Sequence, residues 1–516
     1  MLYGRQRERG VAGMKNRIIS RYYVAADIVL ASPLSLSGGD GEHTDSDVMR
    51  DGEGRLLLPG SSVAGAFRAY LGQRKDEAGV FGYAGREEVT GLQKGYMSAL
   101  LFSDTYFDEG EGKAVVSERD GVSLSEEKTV ENKFDYEIIE TGAKARMYIE
   151  KVCREKDGEK GIQRGLREIQ LLLSALDKGE IRFGSRKNSG CGWIKVEKAY
   201  KYVFGMAGET SGTGTQSQEV AGWRMESDTE MPGQEEAERW MAFCTAENPW
   251  GDSAEWKDWK IELPEQKYIS IEIPLRLTGG ISIRKYSTRP EVADFEHMTV
   301  HGSVGKERIP VIPGSSWKGA VRSCAKNILR ELGIPDIQEK IDEWFGMVKD
   351  NTKSKQPETQ AGSGKNIRQP DSAKNTKWIE APAGSSQNAK QSMVVIKESQ
   401  LTGSVLMSST RNRVNRFDAS TVDGALYTEN AYFGGRTTLR ILVRKTEEYV
   451  YAPLLGLLSL VVQEIEEGYL AIGGQSAVGR GIFESDINEA GQGIQWSEEI
   501  DRHKCLAELA SLKGGR

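Results

Sequence analysis

The stretch Pro59-Gly-Ser-Ser-Val-Ala-Gly-Ala-Phe-Arg68 returns as Pro313-Gly-Ser-Ser-Trp-Lys-Gly-Ala-Val-Arg322, identical at seven of ten positions and 254 residues further on. A repeat of that period is a duplicated domain rather than a short solenoid unit. Working outward, other landmarks recur in the same order. Asp45-Ser-Asp-Val-Met49 and Asp294-Phe-Glu-His-Met298 lie upstream, Val80-Phe-Gly82 and Trp344-Phe-Gly346 downstream. Ser117-Glu-Arg-Asp-Gly-Val122 and Ser409-Thr-Arg-Asn-Arg-Val414 follow. Each half closes on a glycine-rich segment, Phe183–Trp193 and Ile472–Ile482.

The local patterns make each half α+β. Tyr22–Leu30 and Ile269–Leu277 alternate as strands. After each Pro-Gly-Ser-Ser the period changes to helical: Trp317, Val321, Cys324, Ile328 and Leu332 share a face, and Gly333 supplies the stop. Ser61/Ser62 and Ser315/Ser316 are suited to capping these helices. Second helices are expected over Leu166–Asp177 and Leu454–Glu467. The order strand, helix, strands, helix, strand is that of a ferredoxin-like (RRM-like, βαββαβ) unit, once per half.

At 516 residues, length alone suggests three or four domains, and the duplication revises that to two with insertions. The expected division is a tail over 1–20, a first repeat over 21–204, an acidic linker over 205–266, a second repeat over 267–486 and a tail over 487–516. Ala207–Glu238 and Lys349–Ser392 are polar and low in hydrophobics; the latter, with eight Lys/Arg and four Asp/Glu, is expected to be a disordered insertion within the second repeat. No run of eighteen apolar residues occurs, and the first sixteen residues lack a secretory apolar core; Met14 is an alternative start. Five scattered cysteines, never C-x-x-C, argue for a cytoplasmic location and against a structural zinc site. The net charge of −7 is concentrated: Met206–Asp258 holds twelve acids against three bases, so the rest of the chain is slightly basic.

The repeated turn opens a helix with free N–H groups and two hydroxyls, a setting suited to an anion. Gly65 and Gly319 lie in first helical turns, where glycine costs about 1 kcal/mol relative to alanine. Either close packing or close approach of a ligand must compensate. The pattern is not a P-loop. The terminal glycine segments carry Arg186, Lys187 and Arg480, and a glycine backbone with a nearby cation suits phosphate. His43 and His297 share loops with acids, but no metal-cluster spacing or G-x-S-x-G nucleophile motif appears.

On the Pro-Gly-Ser-Ser-x-x-Gly-x-x-Arg turn, the Phe-Gly dipeptide and the terminal glycine loop, the chain resembles the RAMP superfamily. It is most similar to the backbone subunits of type III CRISPR effector complexes, with two copies fused as in a type III-D-like arrangement. Thr129–Asp135 followed by Glu140–Arg146 is similar to the thumb of those subunits, and Arg411–Asp418 with Gly424–Glu429 to its counterpart.

The resemblance implies that guide RNA lies along both repeats, contacting Ser61, Ser62, Gly65, Arg68, Arg186 and Lys187, then Ser315, Ser316, Lys318, Gly319, Arg322, Arg411, Arg413 and Arg480. It implies a target RNA paired to the guide, other effector subunits as partners, and target cleavage by a loop aspartate with Mg2+ or Mn2+. The catalytic and metal-binding positions that match are Asp45 and Asp294. Asp47 and Asp51 are alternatives in the first loop and Glu296 in the second, whose greater length separates Asp294 further from its turn. The competing functions are a non-catalytic structural backbone subunit and a stand-alone RAMP ribonuclease processing precursor guide RNA; a small-molecule enzyme has no cofactor motif to support it.

Overall fold

The computed structural model describes residues 18–514 except 40, 42, 73–77, 87–92, 111–112, 126–128, 155–157, 206–240, 247–248, 251–253, 265, 287–292, 302–307, 349–388 and 446–447. The expected unstructured segment Ala207–Glu238 and nearly all of the insertion Lys349–Ser392 lie outside the described residues.

In the first half, β1 (Ile18–Leu30) leads to α1 (Gly60–Gly72) and β2 (Leu100–Phe102). A two-stranded hairpin, β3 (Val116–Leu124) and β4 (Val130–Ile139), then projects before β5 (Lys144–Arg154), α2 (Gly158–Asp177) and β6 (Ile194–Gly205). The sheet runs β6–β1–β5 with β2 along the far edge of β5, all antiparallel.

The second half repeats the plan: β7 (Tyr268–Leu277), α3 (Gly314–Glu331), α4 (Ile337–Phe345) and β8 (Val394–Ile396). The hairpin β9 (Val405–Arg411) and β10 (Tyr427–Phe433) precedes β11 (Arg436–Arg444), α5 (Glu448–Glu466) and β12 (Phe483–Ser485). Its sheet order is β12–β7–β11–β8. Each sheet therefore has the 4-1-3-2 order of a ferredoxin-like fold, with the hairpin inserted between strands two and three. The molecule is α+β, two such domains in tandem.

Period decides the burial. Val24, Ala26, Ile28 and Leu30 face α1 and α2, whereas Tyr23 and Ala25 face away. Val63, Phe67 and Leu71 of α1 are fully buried, as are Trp317, Val321 and Ala325 of α3. Trp317 Nε1 donates to Ser399 Oγ at 2.9 Å, so this fully buried indole has its polar atom satisfied. Gly333, at φ 66°, ends α3 as expected, with the Ile334 N–H reaching back to the Leu329 carbonyl.

The segment following each domain covers its second helix. After β6, Trp256, Trp259 and Leu263 enter the first core, and Ser174 Oγ of α2 accepts the Ile261 N–H at 2.9 Å. After β12, Gln495–Trp496 pairs with β7, and α6 (Arg502–Ser511) packs on α5. A Cβ at Gly456 would strike the Cys505 carbonyl, so glycine there sets the close approach of α5 and α6. Parts of the expected linker 205–266 and tail 487–516 are thus built into the cores. Cys505 and Leu509 supply the apolar contact, which short-range sequence pattern does not reveal.

Candidate nucleic-acid interface

The repeated turn begins its helix at Gly60 or Gly314, at least two residues earlier than its serines would as caps. Pro313 is the N-cap of α3, without a side-chain bond, and α3 starts at Gly314. In α1 the Gly60 N–H is taken by Asp104 Oδ1 at 2.7 Å, an anion from a distant loop at the positive helix end. The four serines are therefore first-turn residues, not caps: Ser61 and Ser315 are exposed, Ser62 and Ser316 half-buried.

The glycines of this motif divide by role. A Cβ at Gly60 would strike the Phe102 carbonyl, and one at Gly314 the carbonyls of Ser189 and Ile396, so these two are needed for packing. A Cβ at Gly65 or Gly319 would meet nothing within 4 Å. Both are exposed on their helices, and packing gives no reason for glycine at either. The arginines that end the motif also differ. Arg68 is exposed and has no partner among the described residues, whereas Arg322 pairs with Asp342 at 2.9 Å. Lys318 donates to Ser392 Oγ at 3.0 Å, and burial, then the nearby Arg322, lowers its pKa to about 8.

The two glycine loops are alike in backbone. Each contains a short 3-10 turn, Lys187–Ser189 or Ser476–Val478, entered through a left-handed residue, Arg186 (φ 53°) or Gln475 (φ 63°). Gly192 donates to the Pro33 carbonyl and Gly481 to the Gly280 carbonyl, both at 2.8 Å, which clasps each loop to the end of its first strand. Their side chains diverge. Arg186 lies 3.5 Å from the centre of the Tyr136 ring and 5.0 Å from that of Phe134, tying the loop to hairpin β3–β4. Lys187 is exposed. Arg480 is only 5% exposed and pairs with Glu429 at 3.1 Å, so it braces the second hairpin from inside rather than presenting a surface cation.

The first glycine loop also joins the halves. Ser189 abuts Gly314, and a Cβ on Gly190 would stand 2.6 Å from Lys397 Cα. Arg119, buried at the base of β3, pairs with Glu140 at 3.2 Å and with Glu398 of the second half. In the second loop Gly479, the counterpart of Gly190, faces open space.

The candidate aspartates occupy equivalent positions. Asp45 is exposed, and its Oδ2 accepts the N–H of Asp135 on β4 at 3.1 Å. Asp294 is likewise exposed, and its Oδ2 accepts the N–H of Thr428 on β10 at 2.7 Å. The extra length of the second loop has not separated Asp294 from its hairpin. The alternatives are held in local structure. Asp47 accepts from Thr44 N and Oγ1, Asp51 from the backbone of Glu53 and Arg55, and Glu296 lies 3.8 Å from Arg308.

His297 belongs to the core. Its Nδ1 accepts the Ile283 N–H at 3.0 Å, its Nε2 faces the Val311 carbonyl at 3.1 Å, and burial drops its pKa to about 4. It is a neutral structural imidazole. His43 is exposed in the first loop. Among the described residues no group of three or more His, Cys, Asp or Glu side chains converges on one point.

The hairpins present what the cores exclude. Val122, Leu124 and Val130 are 45–65% exposed on the first, and Phe417 is fully exposed near the tip of the second. Arg411 is half-buried on β9 and Arg413 exposed just beyond it. Arg146, read from sequence with the thumb, instead sits in the central sheet and pairs with Asp27 at 2.6 Å. The outer face of the first sheet, where an RRM would stack bases, is occupied by the chain's own Tyr23, Tyr202, Phe243 and Trp250. In the first domain that face is therefore closed to stacked bases.

The RAMP superfamily model matches residues 27–195 and again 299–484, together more than half of the chain. The chain belongs to the RAMP superfamily, whose members are CRISPR-associated RNA-binding proteins of defence systems. No curated protein matches it. Among the described residues no helix is long and apolar enough to cross a membrane.

Proposed function

We propose that this protein is a guide-RNA-binding backbone subunit of a type III CRISPR effector complex, and that it cleaves the paired target RNA at two points. The observation that carries the reading is the shared geometry of Asp45 and Asp294. Each is an exposed carboxylate in the loop ahead of a Pro-Gly-Ser-Ser turn, and each accepts an N–H from the hairpin of its own domain. The open space at Gly65 and Gly319, beside Ser61, Ser62, Arg68, Ser315 and Ser316, suits a phosphate backbone lying close to each helix start. Arg186, Lys187, Arg411 and Arg413 extend that path; Arg480 and Arg322 act through structure.

RNA carries its own nucleophile in the 2′-OH, so the protein's task is to hold that group in line with the scissile phosphate and to accept its proton. The exposed hairpin side chains displace target nucleotides from the duplex and bring them to the aspartates. Asp45 and Asp135 keep one oxygen each outside their mutual bonds, a hard donor pair that fits Mg2+ or Mn2+ alongside water and phosphate. The bound ion supplies charge neutralisation at the phosphate. Thr428 stands where the first domain has Asp135, so Asp294 offers a single carboxylate. The open face at Gly479 supports docking of a further subunit there, as Lys397 docks on Gly190.

The reading is tested by co-expressing the chain with its repeat array and neighbouring subunits. Guide RNA should co-purify with the complex; a fully assembled complex free of nucleic acid would contradict it.

A further inference from the structure

The seam between the domains holds cations that the RNA path above does not use. Arg182 and Trp193 oppose each other across an antiparallel bridge, so their side chains emerge on one side, and Lys195 shares it. The second domain lays Lys397 on this surface, with Nζ 3.6 Å from the centre of the Trp193 ring; Lys195 Nζ lies 5.4 Å from the same ring. The Lys397 N–H donates to the carbonyl of Arg440 at 3.1 Å, which brings that arginine alongside.

Arg182 is only 7% exposed. Its Nε donates to the Gly179 carbonyl at 3.2 Å and its Nη1 to the Lys187 carbonyl at 3.3 Å, while its guanidinium carbon lies 5.2 Å from the Tyr268 ring. Its Nη2 is buried with no hydrogen-bond partner. A buried donor left without an acceptor is rare in native proteins and calls for an unseen partner. Glu272, the carboxylate that acts on this cluster, is already paired with Arg440 at 3.2 Å. Among the described residues no acid pairs with Arg182, Lys195 or Lys397.

We propose that this seam binds a phosphate-class oxyanion between Arg182 of the first domain and Lys397 of the second, with Lys195 and Arg440 at its rim. Such an anion gives Arg182 Nη2 its missing acceptor and neutralises charges that otherwise repel across the joint. It also fastens the two domains at a fixed angle. The inference concerns residues outside the proposed RNA path and stands whether or not the chain cleaves RNA.

Lys397 supplies a distinctive signature. Burial first, then Arg182, Arg440 and Lys195, with Glu272 opposing, lowers its pKa to about 7. The group is charged below that pH and neutral above it, so anion binding above pH 7 must take up a proton. Sulfate is the suitable probe because its own charge stays at −2 over this range.

Titration of the full-length, RNA-free chain with sulfate, at ionic strength held constant with chloride, should show saturable binding. Affinity should fall by up to about tenfold from pH 7 to pH 8, with proton uptake read from buffers of different ionisation enthalpy. Lys397→Met keeps an apolar stem over Trp193; it should lose at least about tenfold in sulfate affinity, with the pH dependence gone, while melting normally in chloride. Competition by a single-stranded oligonucleotide would assign the anion to an RNA phosphodiester, and its absence to a free oxyanion. No saturable binding to the wild type, or equal binding by Lys397→Met, would overturn the proposal.

Discussion

Asp45 and Asp135 clasp each other. The Asp45 N–H donates to Asp135 Oδ1 at 2.9 Å, and the Asp135 N–H donates to Asp45 Oδ2 at 3.1 Å. The loop ahead of the first helix is thereby pinned to a hairpin strand ninety residues further along the chain. Asp135→Ala removes the acceptor for the Asp45 N–H and one carboxylate of the pair. It should lower stability by only about 1 kcal/mol, since both groups reach solvent. The first target cut should slow much more than the second. Equal slowing of both cuts, measured on one end-labelled target, would break the link between the clasp and the first site.

Gly65 and Gly319 lie in helical backbone with open space around them. Alanine at either should raise stability by roughly 0.5–1 kcal/mol, because helix propensity improves and nothing is struck. The same substitutions should weaken RNA retention if the backbone runs close there. Gly314→Ala should do the opposite to stability, since its Cβ meets the carbonyls of Ser189 and Ile396. Melting curves and filter binding on the three variants separate the roles.

The two motif arginines should likewise part company. Arg68→Ala should leave the melting temperature unchanged and reduce the salt dependence of RNA binding by about one contact. Arg322→Ala breaks the bond to Asp342 and should lower stability before it lowers RNA affinity. Identical behaviour of the two would contradict their different surroundings.

Much of this was legible in sequence because it is local. The repeated turn, the alternating first strands, the helix stop at Gly333 and the glycine loops each follow from neighbours within a few residues. What was not legible depends on distant partners. Asp104 displaces the serines as the anion at the start of α1. Glu429 withdraws Arg480 from the surface, and the Ile283 N–H and Val311 carbonyl fix His297 as a core residue. The packing of α6 on α5 required Gly456 to be seen against Cys505.

Arg119 is a second buried cation at the joint, held between Glu140 and Glu398. Burial alone would lower its pKa, but Glu398 and Glu140 outweigh that and keep it charged. Arg119→Met leaves two carboxylates buried without their cation and should cost roughly 3–5 kcal/mol. Proteolysis between the domains should accelerate. Unchanged melting and cleavage patterns would mean that the seam is held by other contacts.

His297 makes stability pH-dependent. Its folded pKa of about 4 lies below the ordinary value of 6.5, so the unfolded chain binds the proton first as pH falls. Its contribution is complete above about pH 6.5 and is lost progressively toward pH 4, at up to about 1.4 kcal/mol per pH unit. In His297→Gln the fall in melting temperature between pH 7 and pH 5 should be smaller than in the wild type. An identical fall would assign the acid sensitivity elsewhere.

The most direct measurement is the cut map of a labelled target RNA in the assembled complex, for wild type, Asp45→Ala, Asp294→Ala and the double variant. The account predicts two cuts separated by the spacing of one repeat. Each single variant should lose one cut and keep the other, and the double variant should bind target without cleaving it. Both cuts surviving in the double variant would contradict the assignment of Asp45 and Asp294.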